Sequence, residues 1–178
     1  MSLIEGIAGH AIELVADLLG YAELERGAKE TEPVDLDLSL RRRLTGLESA
    51  IFATDAVVTG RNLPTVPGRA AELEHVLQNL VENRIKYRGE AAPRIRFDAR
   101  RQGEMWIVRC RDNGRGIPKK FRDRVFEPFA RGTSAVPGSG LGMAICQRII
   151  EGHGGHIRVE ASGVTGTTVA FSLPAPAG

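Results

Sequence analysis

The chain of 178 residues is 42% hydrophobic and 26% charged, an ordinary globular composition for one domain plus an appendage that excludes both disorder and a multidomain assembly. The formal charge is only +2, and no run reaches the ~18 apolar residues of a bilayer-spanning helix. The opening MSLIEGIAGH lacks the basic start and apolar core of a signal peptide, so a cytoplasmic chain is expected.

Residues 3–24 carry a broad apolar helical stripe that calls for a packing partner. Residues 27–33 read as a connector, which divides the chain into an N-terminal piece, 1–33, and a main domain, 34–178. A helix is expected over 39–50, and short strands over 56–59 and 63–68, with Pro64 and Pro67 confining the second to an edge or an irregular piece. The strongest helical signal covers 69–87, where Leu73, Val76, Leu77, Leu80 and Val81 repeat at the 3.6-residue period. Residues 95–99 and 105–110 alternate as a strand pair around a turn at Gln102 and Gly103. Regularity fails over 112–142, which holds glycines at 114, 116, 132, 138, 140 and 142. A helix over 141–151 and strands over 157–160 and 168–173 close the chain. Helices segregated from a mixed sheet predict an α+β, two-layer sandwich.

Charge is unevenly spread. Residues 1–35 carry 8 acids against 2 bases, whereas 84–131 carry 15 bases against 6 acids. A basic block of this kind draws a phosphate-bearing ligand, a nucleic acid or an acidic partner through one Coulomb term. Aromatics are only 5% and do not interleave with the arginines, so no stacking platform for single strands is expected. Cys110 and Cys146 stand far apart in apolar contexts and read as buried small hydrophobes. The four histidines are scattered and form no ligand cluster.

Chemistry concentrates on three segments. Asn79, Asn83 and Lys86 fall at i, i+4 and i+7, so two carboxamides and a cation share one helical stripe. A carboxamide oxygen is a suitable hard ligand for Mg²⁺, a cation that keeps most of its waters and bridges substrate phosphates. Taken alone, the three read first as an ordinary exposed polar stripe. DNGRGIP, 112–118, ends a strand with an acid and two glycines; the backbone at Gly114 and Gly116 can pass close to a flat ligand while Asp112 accepts from an exocyclic amine. GSGLG, 138–142, opens a helix with glycines, where free N–H groups and the positive dipole end suit a polyphosphate. Each is weak alone, and their combination in this order is not.

HVLQNLVENRIKYR (75–88), DNGRGIP, RVFEPFARG (124–132) and GSGLGMAICQRIIEGHGGHI (138–157) resemble the asparagine, first glycine, phenylalanine and second glycine boxes of sensor histidine kinases. These belong to the GHKL superfamily with its Bergerat ATP-binding fold, and the IKYR ending is similar to the phytochrome-related kinases. The resemblance runs from about residue 34 to 174. It implies ATP and Mg²⁺ as ligands, Asn83 on the metal, Asp112 on the adenine amine, and Lys86, Tyr87 and Arg131 at phosphates or ribose. It further implies that Gly138, Gly140 and Gly142 carry the hinge of a mobile ATP lid and, with Leu141 among them, bind the nucleotide. Superfamily ATPases place glutamate where this chain has Asn79; an amide cannot take a proton from water, which favours a histidine acceptor over hydrolysis.

Two departures accompany the resemblance. Arg84 stands where the family has alanine, within the apolar stripe of its helix. A buried Arg needs a partner or a route to solvent, so it is expected to snorkel from the helix end, with occupation of the nucleotide pocket or a weakened fold as alternatives; Arg84→Ala is expected to raise thermal stability. The phosphoacceptor helix is missing, because His10 in GHAIELVA lacks the family's neighbours, and residues 3–24 resemble the lower half of the second dimerisation helix. The chain is therefore expected to be a C-terminal kinase fragment. It would form a homodimer through that helix, hand phosphate to a response regulator receiver domain, and bind no nucleic acid. A non-catalytic docking or phosphotransfer platform is the alternative, and a serine kinase of anti-sigma type is a further one.

Overall fold

In the computed structural model, residues 30–130 and 138–176 are described. The helix expected over 3–24, His10 and Arg131 lie outside the described residues. Strand β1 (Glu32–Asp35) pairs antiparallel with β3 (Thr65–Gly68), Val34 opposite Val66. Pro33 and Pro67 face each other in this two-stranded sheet, where lost donors are tolerated.

Asp35 caps helix α1 (Leu36–Gly46), its carboxylate accepting from the Leu38 N–H at 3.0 Å, the bond that satisfies one orphan donor of the first turn. The single helix expected over 39–50 is instead α1 followed by α2 (Glu48–Ala53), broken at Leu47, which has φ −109° and ψ 7°. The break follows Gly46, a poor helix former, and turns the Leu47 side chain into the core.

The main sheet has five strands in the order β2 (Val57–Arg61), β4 (Arg94–Gln102), β5 (Met105–Arg111), β7 (Gly166–Pro174), β6 (Ile157–Gly163). β2 runs parallel to β4 and every other pairing is antiparallel, so the sheet is mixed as expected. Its inner face is set by the period of two: Phe97, Cys110 and Val169 lie in register, and Val108, Phe171 and Ile157 form the next row. Helices α3 (Ala70–Lys86) and α4 (Gly142–Gly152) cover that face. On α3 the apolar stripe Leu73, Val76, Leu77, Leu80, Val81 and Ile85 is buried throughout. Burying a side chain of this size contributes about 1.5–3 kcal/mol, so this helix is a main support of the domain.

The alternate face of β4 and β5 carries the basic block. Arg94, Arg96, Arg100 and Arg111 are exposed, with Arg111 3.2 Å from Asp98 and Arg109 paired twice to Glu160 at 2.6 and 2.9 Å. Among the described residues no helix is long and apolar enough to cross a membrane.

His153 ends α4 and ties it to the start of α3. Its Nε2 lies 3.0 Å from the Arg69 backbone N–H, which donates to it, and its Nδ1 lies 2.7 Å from the Ile149 carbonyl. That pattern requires the neutral ring with the proton on Nδ1. Burial is the main cause holding its pKa below 6.5, with the nearby Arg69 charge acting the same way. A lowered folded-state pKa means that the unfolded chain takes up the proton first. The stability due to neutral His153 is therefore complete above pH 6.5 and lost as pH falls through the folded-state pKa. Melting temperatures recorded between pH 7.5 and 5 should fall more steeply for the wild type than for His153→Gln, and equal slopes would contradict this.

Candidate functional site

α3 ends beside the segment that follows β5, and the start of α4 lies across from both. These elements enclose a cleft of about 610 Å³. His75, Asn79, Asn83, Lys86 and Tyr87 of α3 line one wall, as their shared stripe predicts, and Gly116, Ile117, Pro118, Phe121 and Val125 line another. Gly138, Ser139, Gly140 and Gly142 close the third, and Arg84, Asp112, Thr167 and Val169 also face the space.

Asp112 is fixed by the neighbouring hairpin. Its own N–H donates to the Thr167 carbonyl at 2.9 Å, while Oδ1 accepts from Gly114 N–H at 2.7 Å and Thr167 N–H at 3.2 Å. Two glycines allow this approach. Gly166, at φ +121°, meets the Asp112 carbonyl where a Cβ would sit, and Gly116, at φ +74°, meets the Gly163 carbonyl in the same way. Both backbones are pressed together in a conformation that favours glycine. The result is a carboxylate with one oxygen satisfied by backbone and Oδ2 left for other partners.

Contacts from the α3 wall reach the glycine segment. The site where a Cβ would stand on Gly138 is taken by Lys86 Nζ, and on Gly142 by Asn79 Oδ1. Asn79 Nδ2 lies 3.0 Å from His75 Nε2, one helical turn earlier. No side chain caps α4, so the positive end of its dipole faces the cleft beside Lys86. Asn83 Nδ2 is buried with no hydrogen-bond partner. No protein contact therefore fixes which end of that carboxamide faces the cleft, and its oxygen is available to a cation. Among the described residues no cluster of three or more His, Cys, Asp or Glu side chains is placed to hold a metal ion.

Arg84 does not snorkel. It is 7% exposed, and its Nε lies 3.4 Å from Asp112 Oδ2 without hydrogen-bond geometry. Arg84 shares the buried face of α3 with Leu77, Leu80 and Val81, and Asp112 meets it there, so the side chain does not reach solvent. Burial pushes the Cys110 thiol up to about 11 and Cys146 up to about 12, and the Arg84 guanidinium holds both below what burial alone would give. Both cysteines are free and buried, as expected.

Of the residues singled out from sequence, Asn79, Asn83, Lys86, Tyr87, Asp112, Gly116, Gly138, Gly140 and Gly142 share the cleft. Gly114 is not in its lining and supports Asp112 from behind through its N–H. Leu141 packs in the core at 1% exposure instead of facing the space. Sequence reading missed His75, Thr167 and Phe121. His75 was legible as the residue four before Asn79, continuing the same stripe, whereas Thr167 reaches Asp112 only through strand pairing.

Residues 68–177 match the family described as histidine kinase-, DNA gyrase B- and HSP90-like ATPase. The chain belongs to this family. The chain is 37% identical over 163 residues to cyanobacterial phytochrome A of Nostoc sp., a match that covers 90% of this chain and 21% of that protein. The chain thus spans about a fifth of that curated relative. Full-length ShkA, solved in complex with AMPPNP, superposes with a TM-score of 0.78 at 26% identity, over 93% of this chain and 36% of that one. The catalytic domain of the histidine kinase ThkA superposes with a TM-score of 0.70 at 27% identity, over 82% of this chain and 96% of that one. Within the family the matched domain is of the sensor histidine kinase type, and its fold is the α+β sandwich expected from sequence.

Proposed function

We propose that the chain is the ATP-binding kinase module of a two-component sensor kinase, transferring the γ-phosphoryl of Mg-ATP to a histidine on a segment it does not contain. The observation that carries this reading is Asp112: a carboxylate anchored by two backbone N–H groups, with Oδ2 at a cleft that also holds Asn79, Asn83, Lys86 and the start of α4. Oδ2 takes the adenine amine, and the glycine turn at Gly114 and Gly116 lets the base lie close to backbone. Lys86, Tyr87 and, from the segment outside the described residues, Arg131 serve phosphates and ribose. Asn83 would hold Mg²⁺, which would supply positive charge to neutralise the phosphates. Gly138, Gly140 and Gly142 form a lid around Leu141, whose burial anchors it to the core.

Phosphoryl transfer asks for position and charge neutralisation more than for a strong base. The lone pair of the acceptor imidazole attacks the γ-phosphorus, a P–N bond forms, and the bond to the bridging oxygen breaks with its electron pair leaving on ADP. Lys86 balances the charge that develops. Asn79, bonded to His75, is an amide and takes no proton from water, so the site is suited to an imidazole acceptor instead of hydrolysis.

Residues 34–178 are the catalytic domain in this reading. The segment before β1, which lies outside the described residues up to Lys29, serves in this reading as a partial dimerisation segment with its linker that pairs two copies, the phosphoacceptor helix comes from the rest of the parent kinase, and a response regulator receives the phosphoryl group. The module works in the cytoplasm and binds no nucleic acid. Calorimetric titration with ATP tests the reading. The wild type should bind more tightly with Mg²⁺ than without, and Asn83→Ala should lose that difference, binding Mg-ATP at least ~10-fold more weakly. A wild type that binds no nucleotide, or an Asn83→Ala variant indistinguishable from it, would overturn the assignment.

A further inference from the structure

At the base end of the cleft a guanidinium paired in charge with Asp112 keeps two buried donors without a hydrogen bond. Arg84 is 7% exposed, lines the cleft, and leaves both Nε and Nη2 buried without a hydrogen-bond partner. Its nearest carboxylate, Asp112, approaches Nε only to 3.4 Å and outside hydrogen-bond geometry. Leaving buried donors of a charged group unmet is costly, and a native structure that does so calls for an explanation. A contact built only to hold the fold together would be complete with the protein's own groups. This one is not, and the acceptor it lacks can come from whatever enters the cleft.

Beside those donors stands an acceptor. Asp112 Oδ1 is spoken for by the Gly114 and Thr167 N–H groups, which leaves Oδ2. Guanidinium and Oδ2 together present a donor and an acceptor a few ångströms apart. The Watson–Crick edge of adenine presents the complement, N1 as acceptor and the 6-amino group as donor. If Oδ2 takes the amine, N1 is the ring atom next to the carbon that bears it, within reach of a donor that stands beside Oδ2.

We propose that Arg84 is a base-reading residue of this site, donating to adenine N1 while Asp112 accepts from the 6-amino group. This rests on the nucleotide reading above and deepens it. A lone carboxylate reads one atom of the base, whereas the pair reads two, and the bond to N1 is charge-assisted and inside a buried wall, where such bonds are strongest. The apo protein carries the unmet donors as a cost to stability that the ligand relieves.

The test is a titration of the folded chain with ATP and with 1-deaza-ATP, in which a C–H replaces N1, for wild type, Arg84→Ala and the shape-preserving Arg84→Met. The wild type should bind 1-deaza-ATP about 10-fold more weakly than ATP. Both variants should bind ATP about as weakly as the wild type binds the deaza analogue, and should not distinguish the two nucleotides. Their ligand-free melting temperatures should equal or exceed that of the wild type, while ATP raises them less. Variants that bind ATP as tightly as wild type or more tightly would make Arg84 an obstruction and overturn the proposal, as would an undiminished preference for ATP over the analogue in either variant. If the folded wild type binds neither nucleotide, the kinase reading falls with it; if it binds both equally, only the role of Arg84 falls.

Discussion

Asp112→Asn should abolish nucleotide binding at working concentrations, raising the Kd for Mg-ATP by on the order of 100-fold, about 2.8 kcal/mol, while the domain remains folded. The amide oxygen can take the place of Oδ1 and keep the bonds from Gly114 and Thr167 N–H. The second atom then becomes an NH₂ where Oδ2 stood. It meets the 6-amino group of adenine as donor against donor, and it also faces the Arg84 guanidinium that had a carboxylate within 3.4 Å. Sites built around a hydrogen bond reject a mismatched partner strongly because the protein group is left unpaired. Calorimetry gives the affinity, and circular dichroism confirms that the sheet persists. A folded variant that binds within about threefold of wild type would remove Asp112 from the base site.

How much of this was open to the sequence follows from the range of the interactions. α3 was legible because its stripe repeats at one helical period and is buried along its whole length. Asn79, Asn83 and Lys86 share a wall for the same local reason. The strands were legible in kind, with β4 and β5 alternating around a short turn, but their extents were underestimated because the exposed face of β4 is a run of arginines that no apolar pattern marks. The division of α1 from α2 was missed because both flanking segments suit a helix; Gly46 weakens the helix at that point and Leu47 turns into the core there.

Arg84 was recognised as anomalous from its place on the helical wheel, but its setting was misjudged. Snorkelling assumes that water lies beyond the helix end. What stands there instead is Asp112, the residue after β5, held in place by its bonds to Thr167 of β7. Gly114 and Leu141 show a complementary lesson. Both sit inside glycine-bearing motifs that do form the cleft, yet one backs the aspartate and the other fills the core. A motif locates a site, and which of its residues face the ligand depends on how the chain turns there.

The turn that matters most is Gly166, and Gly166→Ala should be the most damaging single-methyl change in the hairpin. Its φ of +121° is a conformation that side chains rarely adopt, and a Cβ there would fall on the Asp112 carbonyl. The obstacle is backbone at the end of β5, so no side-chain rotation relieves it. Either the β6–β7 turn lifts away or Asp112 moves, and both break the pair of bonds that link Asp112 with Thr167. The expected cost is about 3 kcal/mol, combining strain at a positive φ with the lost contacts. For a domain of this size that is a fall of roughly 10 °C in melting temperature. ATP affinity should fall with it, since Oδ2 is positioned only as well as Oδ1 is held. Gly163→Ala is the control: it lies in the same hairpin, yet its Cβ would meet nothing within 4 Å, so its melting temperature should stay within about 2 °C of wild type. Equal melting temperatures for the two variants would mean that the hairpin is free to move and that Asp112 is held by something other than this close approach.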